Sequence, residues 1–289
     1  MEQREYGPFP YSPITERPKL SWPGGAQLAV WVVPNIEYFP LNEPLVGRAP
    51  DSVPSVQDWS MRDYGNRVAV FRLIEVLDRF EIKATVNLNS DICLNHPQII
   101  EACVARDYDF LGHCQTNVRW LNTVAAEDER QLIFDTLDVM EKSIGRRPRG
   151  WVGSALAETW STLDYLIEAG CDFVGDWVND DQPYMMDVDG KPMVSLPYAA
   201  EINDMFQFIF ANRTADQFET MAKRQFDVLY REGADQAKSM AIGLHPYIIG
   251  VPHRIDCLAN ILEYMAGHDH VWFATASEIV DHYVQSSVA

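Results

Sequence analysis

The sequence is poor in positive charge and lacks any long apolar run. Lys and Arg number 23 against 42 Asp and Glu, so the formal net charge is −19. This excess of negative charge argues against nucleic acid and against an anionic membrane surface as partners. No stretch reaches the roughly 20 apolar residues that a membrane-spanning helix requires. We therefore expect neither nucleic-acid binding nor membrane insertion.

Cysteine is also scarce, and no Cys-x-x-Cys pair occurs among the five cysteines. This favours reduced thiols over disulfides or structural zinc. The first residues, MEQREYGPFPYSP, lack the basic segment and apolar run of a secretory signal. These features predict a cytoplasmic protein. We also expect a homo-oligomer, because a Pro-rich arm and eight tryptophans need surfaces against which to pack.

Strand and helix patterns alternate along most of the chain. Residues 1–25 are rich in proline, which predicts an extended N-terminal arm. Residues 26–39 form a continuous apolar run that predicts a buried strand, and amphipathic helices alternate with further strands up to about residue 285. This alternation predicts one α/β domain over residues 26–285, as a barrel or a doubly wound parallel sheet.

Polar side chains recur where the predicted strands end. These residues are Asn35, Glu37, Asn87, Asn89, His113, Asn117, Trp151, Glu158, Asp176, Asp180, Asp181 and His245. The carboxyl ends of parallel strands meet on one face, and that face carries the site in such folds. The sequence therefore predicts an active site for a small molecule there.

The segment FLGHCQTN (110–117) leaves three interpretations open. His113 and Asn117 have the i, i+4 spacing at which two histidines bind one metal ion, but the second position is an amide. The segment is therefore a metal site with a weak ligand, a site that has lost its metal, or an ordinary turn. An amide is a poor zinc ligand, which favours a reduced or lost metal site.

These motifs, in this order, resemble the polysaccharide deacetylase (NodB-homology) superfamily, also called carbohydrate esterase family 4. The resemblance covers about residues 20–280 and implies a distorted (β/α) barrel of about seven parallel strands. Its Leu-His and Asp-Trp segments match Leu244–His245 and Asp176–Trp177. Its first-strand aspartate pair corresponds to Asn35 and Glu37, and its H-x-x-x-H motif to His113 and Asn117.

Two long segments are similar to the allantoinase-like and cyclic imide hydrolase subgroup, whose members open cyclic amides. They are GWVGSALAETWSTLDYLIEAGCDFVGDWVNDDQPY and HPYIIGVPHRIDCL. The resemblance implies a hydrolase of carbon–nitrogen bonds other than peptide bonds. Either no cofactor is needed, as described for the allantoinase-like members, or one divalent metal such as zinc is held by Glu37, His113 and Asn117.

A metal-free mechanism assigns roles to the strand-end residues. Glu37 is expected to be a general base with a raised pKa, and His245 the acid that protonates the leaving nitrogen. Asn35 and Asn117 would stabilise the oxyanion, and Asp176 would orient a histidine. The expected substrate-binding residues are Asn89, Trp151, Glu158, Trp177 and Asp181.

Two other functions remain open at this point. One is a metal-dependent N-deacetylase of an amino sugar or polysaccharide, for which we expect a long open groove. The other is a non-catalytic binding protein on the same scaffold. A protein that had lost its activity would have no reason to retain all four of these residues, which favours an enzyme: Glu37, His113, Asp176 and His245.

Overall fold

The computed structural model describes residues 5–288, with side chains described through residue 286. The strands are β1 (Leu28–Ile36), β2 (Thr85–Leu88), β3 (Asp109–Gly112), β4 (Gly150–Trp151), β5 (Phe173–Val174), β6 (Tyr184–Val188), β7 (Lys191–Ser195), β8 (Lys238–Leu244) and β9 (Val271–Phe273). The helices are α1 (Val56–Tyr64), α2 (Val70–Arg79), α3 (Ser90–Asn95), α4 (Pro97–Val104), α5 (Ala126–Ile144), α6 (Thr162–Glu168), α7 (Ala215–Gly233), α8 (Pro246–Ile249), α9 (Ile255–Ala266) and α10 (Ala276–Val288).

The strands form one largely parallel sheet in the order β6-β7-β5-β4-β3-β2-β1-β8, with β9 beside the start of β1. Only the β6–β7 pairing is antiparallel among the described strands. The predicted mixed α/β barrel architecture is thus confirmed. The described sheet has nine strands, where the resemblance implied about seven.

Strand β1 lies at the centre of the fold and is buried along its whole length. Alternate side chains face opposite ways: Val30 and Val32 pack in the larger hydrophobic cluster with the helices, while Trp31 packs in a second cluster. A strand covered on both faces reads as a continuous apolar run, which is why residues 26–39 lack the alternation of a half-exposed strand.

The barrel closes between β7 and β8 through a narrow seam. An isolated parallel bridge joins Asn203 to Gly243, and the Asn203 amide donates a hydrogen bond of 3.3 Å to the Tyr198 hydroxyl. A Cβ added to Gly243 would lie 2.8 Å from the Asn203 amide nitrogen and would overlap the Tyr198 hydroxyl. Glycine is therefore required for this close approach.

The described part of the N-terminal arm contains only two short 3₁₀ turns, Ile14–Glu16 and Pro23–Gly25. Arg17 forms an ion pair of 2.5 Å with Asp180, and the buried Trp22 donates a hydrogen bond of 2.6 Å to the Lys238 carbonyl. These contacts attach the arm to the barrel. In residues 5–288, none of the helices combines the length and apolarity needed to cross a membrane.

Candidate active site

Glu37 lies at the centre of a group of side chains from three strand ends. It follows β1 directly and is 5% exposed. Its Oε1 atom lies 3.6 Å from Nε2 of His113, after β3, and 3.6 Å from Nε2 of His245, after β8. Its Oε2 atom accepts a hydrogen bond of 3.2 Å from the Tyr247 hydroxyl. The predicted convergence of Glu37 with the two histidines is therefore present in the structure.

The expectation of a raised pKa for Glu37 is wrong. Burial is the largest single effect and raises the pKa of this carboxyl. The combined effects of His245 and His113 outweigh it and bring the pKa down to about 2. The sequence does not show that both imidazoles face the same oxygen. Glu37 is thus an ionised carboxylate at every pH near neutrality.

Asp204 orients His245, although the sequence analysis gave this role to Asp176. The Nδ1–H of His245 donates to Oδ1 of Asp204 over 2.6 Å, and the His245 backbone N–H donates to Oδ2 over 2.8 Å. Burial lowers the pKa of the imidazole, but the charges of Asp204 and Glu37 more than offset this and raise it to about 10. His245 therefore carries a proton on Nε2, facing the site.

Asp204 was missed because it does not follow a strand with a clear periodicity. It lies in the segment EINDMF and directly precedes a π-helical turn, Met205–Phe210. The one available signal was a carboxylate between apolar residues, which needs a partner when buried. Asp204 is fully buried, and His245 is that partner.

His113 is held in one tautomer. Its Nδ1–H donates to the Val152 carbonyl over 2.5 Å, so in the neutral ring the lone pair on Nε2 faces Glu37. The backbone N–H of Asn117 donates to the Tyr38 carbonyl over 3.0 Å. The side-chain oxygen of Asn117 is buried and has no hydrogen-bond partner among the described residues.

The donors present do not fit the three-ligand zinc site of the superfamily. Residues 5–288 contain no group of three His, Cys, Asp or Glu side chains that could hold a metal ion. His245 has a pKa raised to about 10 and is committed to Asp204, so its imidazole offers no free lone pair. Glu37 and His113 are left with only the neutral amide of Asn117, which is a weak zinc ligand.

Asn35 is not free to stabilise an oxyanion. Its two amide hydrogens donate to the Tyr198 hydroxyl over 2.8 Å and to the Leu244 carbonyl over 3.0 Å. Its oxygen accepts a hydrogen bond of 2.9 Å from Asn87 on the neighbouring strand. The predicted catalytic role is therefore replaced by a structural one, in which Asn35 connects β1 with β2 and with the seam beside β8.

Asp176 and Glu158 form a second buried carboxyl centre near His113. Oδ1 of Asp176 accepts the Gly153 N–H over 2.7 Å. Burial, the largest effect, raises the pKa of Asp176 to about 7, and burial together with Asp176 raises the pKa of Glu158 well above its ordinary value. Oδ2 of Asp176 and Oε1 of Glu158 have no donor among the described residues. A proton shared between these two carboxyl groups, which their raised pKa values favour, would supply the missing donor.

The other predicted substrate-binding residues lie in structural positions. The Asn89 side chain bonds to the backbone N–H of Tyr38 and the carbonyl of His113. Trp151 is fully buried in the core, and Trp177 packs edge-to-face on Phe9 of the arm with ring centroids 5.3 Å apart.

Asp181 lies away from the Glu37 cluster. Its carbonyl accepts the Ser239 N–H over 2.8 Å, near the start of β8, whereas His245 follows the end of that strand. Asp181 and His245 therefore belong to opposite ends of the barrel. The sequence placed Asp181 beside Asp176 because the loop between them cannot be traced from residue types alone.

The fold and site can be compared with known proteins. No family model matches the chain. A curated relative from Schizosaccharomyces pombe (strain 972), named "Putative polysaccharide deacetylase", is 29% identical over 238 residues, which cover 75% of this chain and 73% of that protein. The solved structure titled "probable Polysaccharide deacetylase from Pseudomonas aeruginosa PAO1" has a TM-score of 0.85 at 28% identity, covering 96% of this chain and 98% of that chain.

A solved allantoinase, "Puue Allantoinase", is equally similar, with a TM-score of 0.85 at 27% identity over 96% of this chain and 98% of that chain. The fold and the site thus define a hydrolase of carbon–nitrogen bonds, of the deacetylase or amidohydrolase type. These similarities agree with the resemblance to the polysaccharide deacetylase (NodB-homology) superfamily, because the similar proteins include polysaccharide deacetylases and an allantoinase.

Proposed function

We propose that the protein opens a small cyclic amide or imide by adding water across its carbon–nitrogen bond. The observation that carries this proposal is the buried triangle of Glu37, His113 and His245, in which one carboxylate oxygen lies 3.6 Å from both imidazoles. It combines an ionised acceptor with a protonated donor, as general acid–base hydrolysis requires.

Water is activated between Glu37 and His113. A water molecule beside Oε1 and Nε2, which are 3.6 Å apart, can donate one hydrogen bond to each atom while its oxygen attacks the substrate carbonyl. The ionised Glu37 attracts the departing proton, and the lone pair on His113 Nε2 provides a second acceptor. Asp204 and Tyr247 hold the two sides of this arrangement in place.

His245 completes the reaction at the leaving nitrogen. As the tetrahedral intermediate collapses, the ring carbon–nitrogen bond breaks and Nε2–H delivers its proton to that nitrogen. Asp204 keeps the imidazole in the orientation that aims Nε2 at the site. The products are a carboxylate and an amine or amide in one opened chain.

The enclosure of the site supports a small substrate. The side chains of Glu37, His113 and His245 are only 3%, 5% and 8% exposed. A polysaccharide needs an open groove in which several sugar units can lie beside the reactive groups. The similarity to a solved allantoinase also supports a small cyclic amide.

Hydrolysis of hydantoin, succinimide and allantoin, compared with acetylated chitooligosaccharides, tests this proposal. We expect ring opening in the first group, and each of Glu37→Gln and His245→Ala should lower kcat at least about 100-fold. The exposed Glu263→Gln and His253→Ala serve as matched controls and should keep wild-type rates. Release of acetate from the chitooligosaccharides alone, or near-normal turnover by both site variants, would overturn the proposal.

A further inference from the structure

Two cavities lie beside the proposed site and share Arg62 as a wall. One has a volume of about 200 Å³ under the loop that follows β1, and the other has a volume of about 150 Å³. Phe39 and Trp59 also line both cavities. The Phe39 ring connects both cavities with the site, because it contacts the ring of Tyr247 at a centroid distance of 6.1 Å and the Tyr247 hydroxyl donates to Glu37.

Arg62 is close to the reactive groups. Its guanidinium carbon lies 4.7 Å from the ring centroid of Phe39 and 5.5 Å from that of Tyr247, whose hydroxyl donates to Glu37. The π-helical turn Gly65–Ala69 follows α1 and packs closely against Tyr247. A Cβ at Gly65 would lie only 2.9 Å from Cβ of Tyr247.

One edge of the Arg62 guanidinium has no partner. Nη1 donates to the Asp58 carbonyl over 2.8 Å, and Oδ1 of Asp58 lies 3.9 Å from the same nitrogen. Nε is buried and makes no hydrogen bond within residues 5–288. The Arg62 side chain is 20% exposed, so most of this cation is removed from water. The free Nε–Nη2 edge has the geometry that binds a carboxylate through two parallel hydrogen bonds.

The charges around the first cavity favour an anion. Arg48 lines it and has no side-chain hydrogen bond or ion pair to any residue within 5–288, and Glu43 in the same wall is neutralised by Arg119 at 3.0 Å. Asp58 also lines this cavity, so the three cations Arg48, Arg62 and Arg119 exceed the two anions Glu43 and Asp58 by one charge, in a chain whose net charge is −19. A local positive field of this kind concentrates anionic ligands at the entrance to a site.

We propose that Arg62 is a specificity-determining residue that binds a carboxylate on the substrate, so that the preferred substrates are cyclic amides or imides bearing a negative charge. This inference rests on the proposed ring-opening function and names its substrate class. The Arg62 guanidinium fixes the charged substituent, and Tyr247, which contacts both Arg62 and Glu37, connects this group with the reactive carboxylate.

Matched pairs of ring amides test the inference: 5-oxoproline, dihydroorotate and hydantoin-5-acetate, each compared with its carboxamide. We expect at least one carboxylate to be preferred over its carboxamide by 10-fold or more in kcat/KM. Arg62→Gln should remove this preference mainly by raising KM, because the lost interaction is present in the ground state as well. Arg62→Lys keeps the charge without the fork and should be intermediate.

Arg67→Gln is the matched control. Arg67 is also near the end of this helical segment and also faces an aspartate one turn earlier, but it is 72% exposed and lines neither cavity. It should leave both substrate preference and KM unchanged. Thermal melts establish that each variant is folded.

Binding separates this inference from the proposed function. Calorimetric titration of the same pairs into Glu37→Gln, with and without Arg62→Gln, measures anion recognition without turnover. If the carboxylates bind in an Arg62-dependent way but the wild type does not hydrolyse them, the inference is supported and the ring-opening function is contradicted. Hydrolysis of neutral hydantoin or succinimide without any gain from a carboxylate would do the reverse. Absence of both binding and hydrolysis, or a preference that survives Arg62→Gln, would overturn the inference.

Discussion

Two buried carboxyl centres lie at the carboxyl ends of the strands and behave in opposite ways. Glu37 is surrounded by His113 and His245, and its pKa is lowered to about 2. Asp176 faces the carboxyl group of Glu158, and its pKa is raised to about 7. Both side chains are removed from water, so burial alone raises the pKa in each case.

The difference teaches that the neighbours, not the depth of burial, decide what each carboxyl group can do. Next to imidazoles, Glu37 remains a charge that holds His245 protonated. At Asp176 burial stays the dominant effect, because Gly153, Glu158 and His113 lower its pKa by less than burial raises it. The repulsion between the two carboxyl groups acts on Glu158, whose pKa is raised well above its ordinary value. The first centre is suited to acid–base chemistry, and the second to holding the loops after β4 and β5.

Removing the charge behind His245 should have the largest effect. We expect Asp204→Asn to lower kcat about 10²- to 10⁴-fold with a smaller change in KM, because the amide cannot hold the charged imidazole in its present orientation. The pKa of His245, followed by NMR titration, should fall. Asp256→Asn, on the exposed start of α9, is the control. Wild-type kcat in Asp204→Asn would contradict the role of Asp204.

The two centres should give pH dependences of stability with opposite signs. Glu37 has a folded-state pKa lowered from 4.5 to about 2, so its contribution is present above about pH 4.5 and is lost as the pH falls towards 2. Asp176 has a pKa raised from 3.8 to about 7, so its centre loses stability as the pH rises from about 4 through 7.

Urea unfolding between pH 3 and pH 8 measures this difference. Glu37→Gln should flatten the acid side of the stability profile. Glu158→Gln should flatten part of the decline above about pH 4.5, because it removes a carboxyl group whose own pKa is raised well above its ordinary value. Identical profiles for wild type and Glu158→Gln would show that the two carboxyl groups do not share a proton.

A smaller effect, on stability, is expected at the seam between Asn203 and Gly243, which supports the Glu37 centre and not the Asp176 centre. Gly243→Ala should lower the free energy of unfolding by about 1–3 kcal/mol, because its Cβ would overlap the Tyr198 hydroxyl and displace the Asn203 amide. Gly267→Ala, whose Cβ would lie 3.4 Å from the carbonyl oxygens of Glu263 and Tyr264, should change it by no more than about 0.5 kcal/mol. Equal effects of the two substitutions in chemical denaturation would show that the close approach at Gly243 does not require glycine.

The part of the site that could be predicted follows from one rule, that the carboxyl ends of parallel strands meet on one face. Glu37, His113 and His245 each follow a parallel strand, and parallel strands bring their carboxyl ends to one face whatever the loops do. The rule gives no information on which polar groups are already satisfied. Asn35 lies at the end of β1 and Asn89 follows β2, yet their amides are bonded within the protein.

The sequence by itself determined the alternating α/β architecture, the central buried β1 and the strand ends that carry the histidines, because each follows from local periodicity. Tertiary structure alone decided that Asp204 is the partner of His245, that Asp181 lies at the far end of the barrel, and that the pKa of Glu37 is lowered. These properties depend on distances between residues far apart in the chain, and a charge responds to what lies within a few ångströms of it, not to its neighbours in sequence.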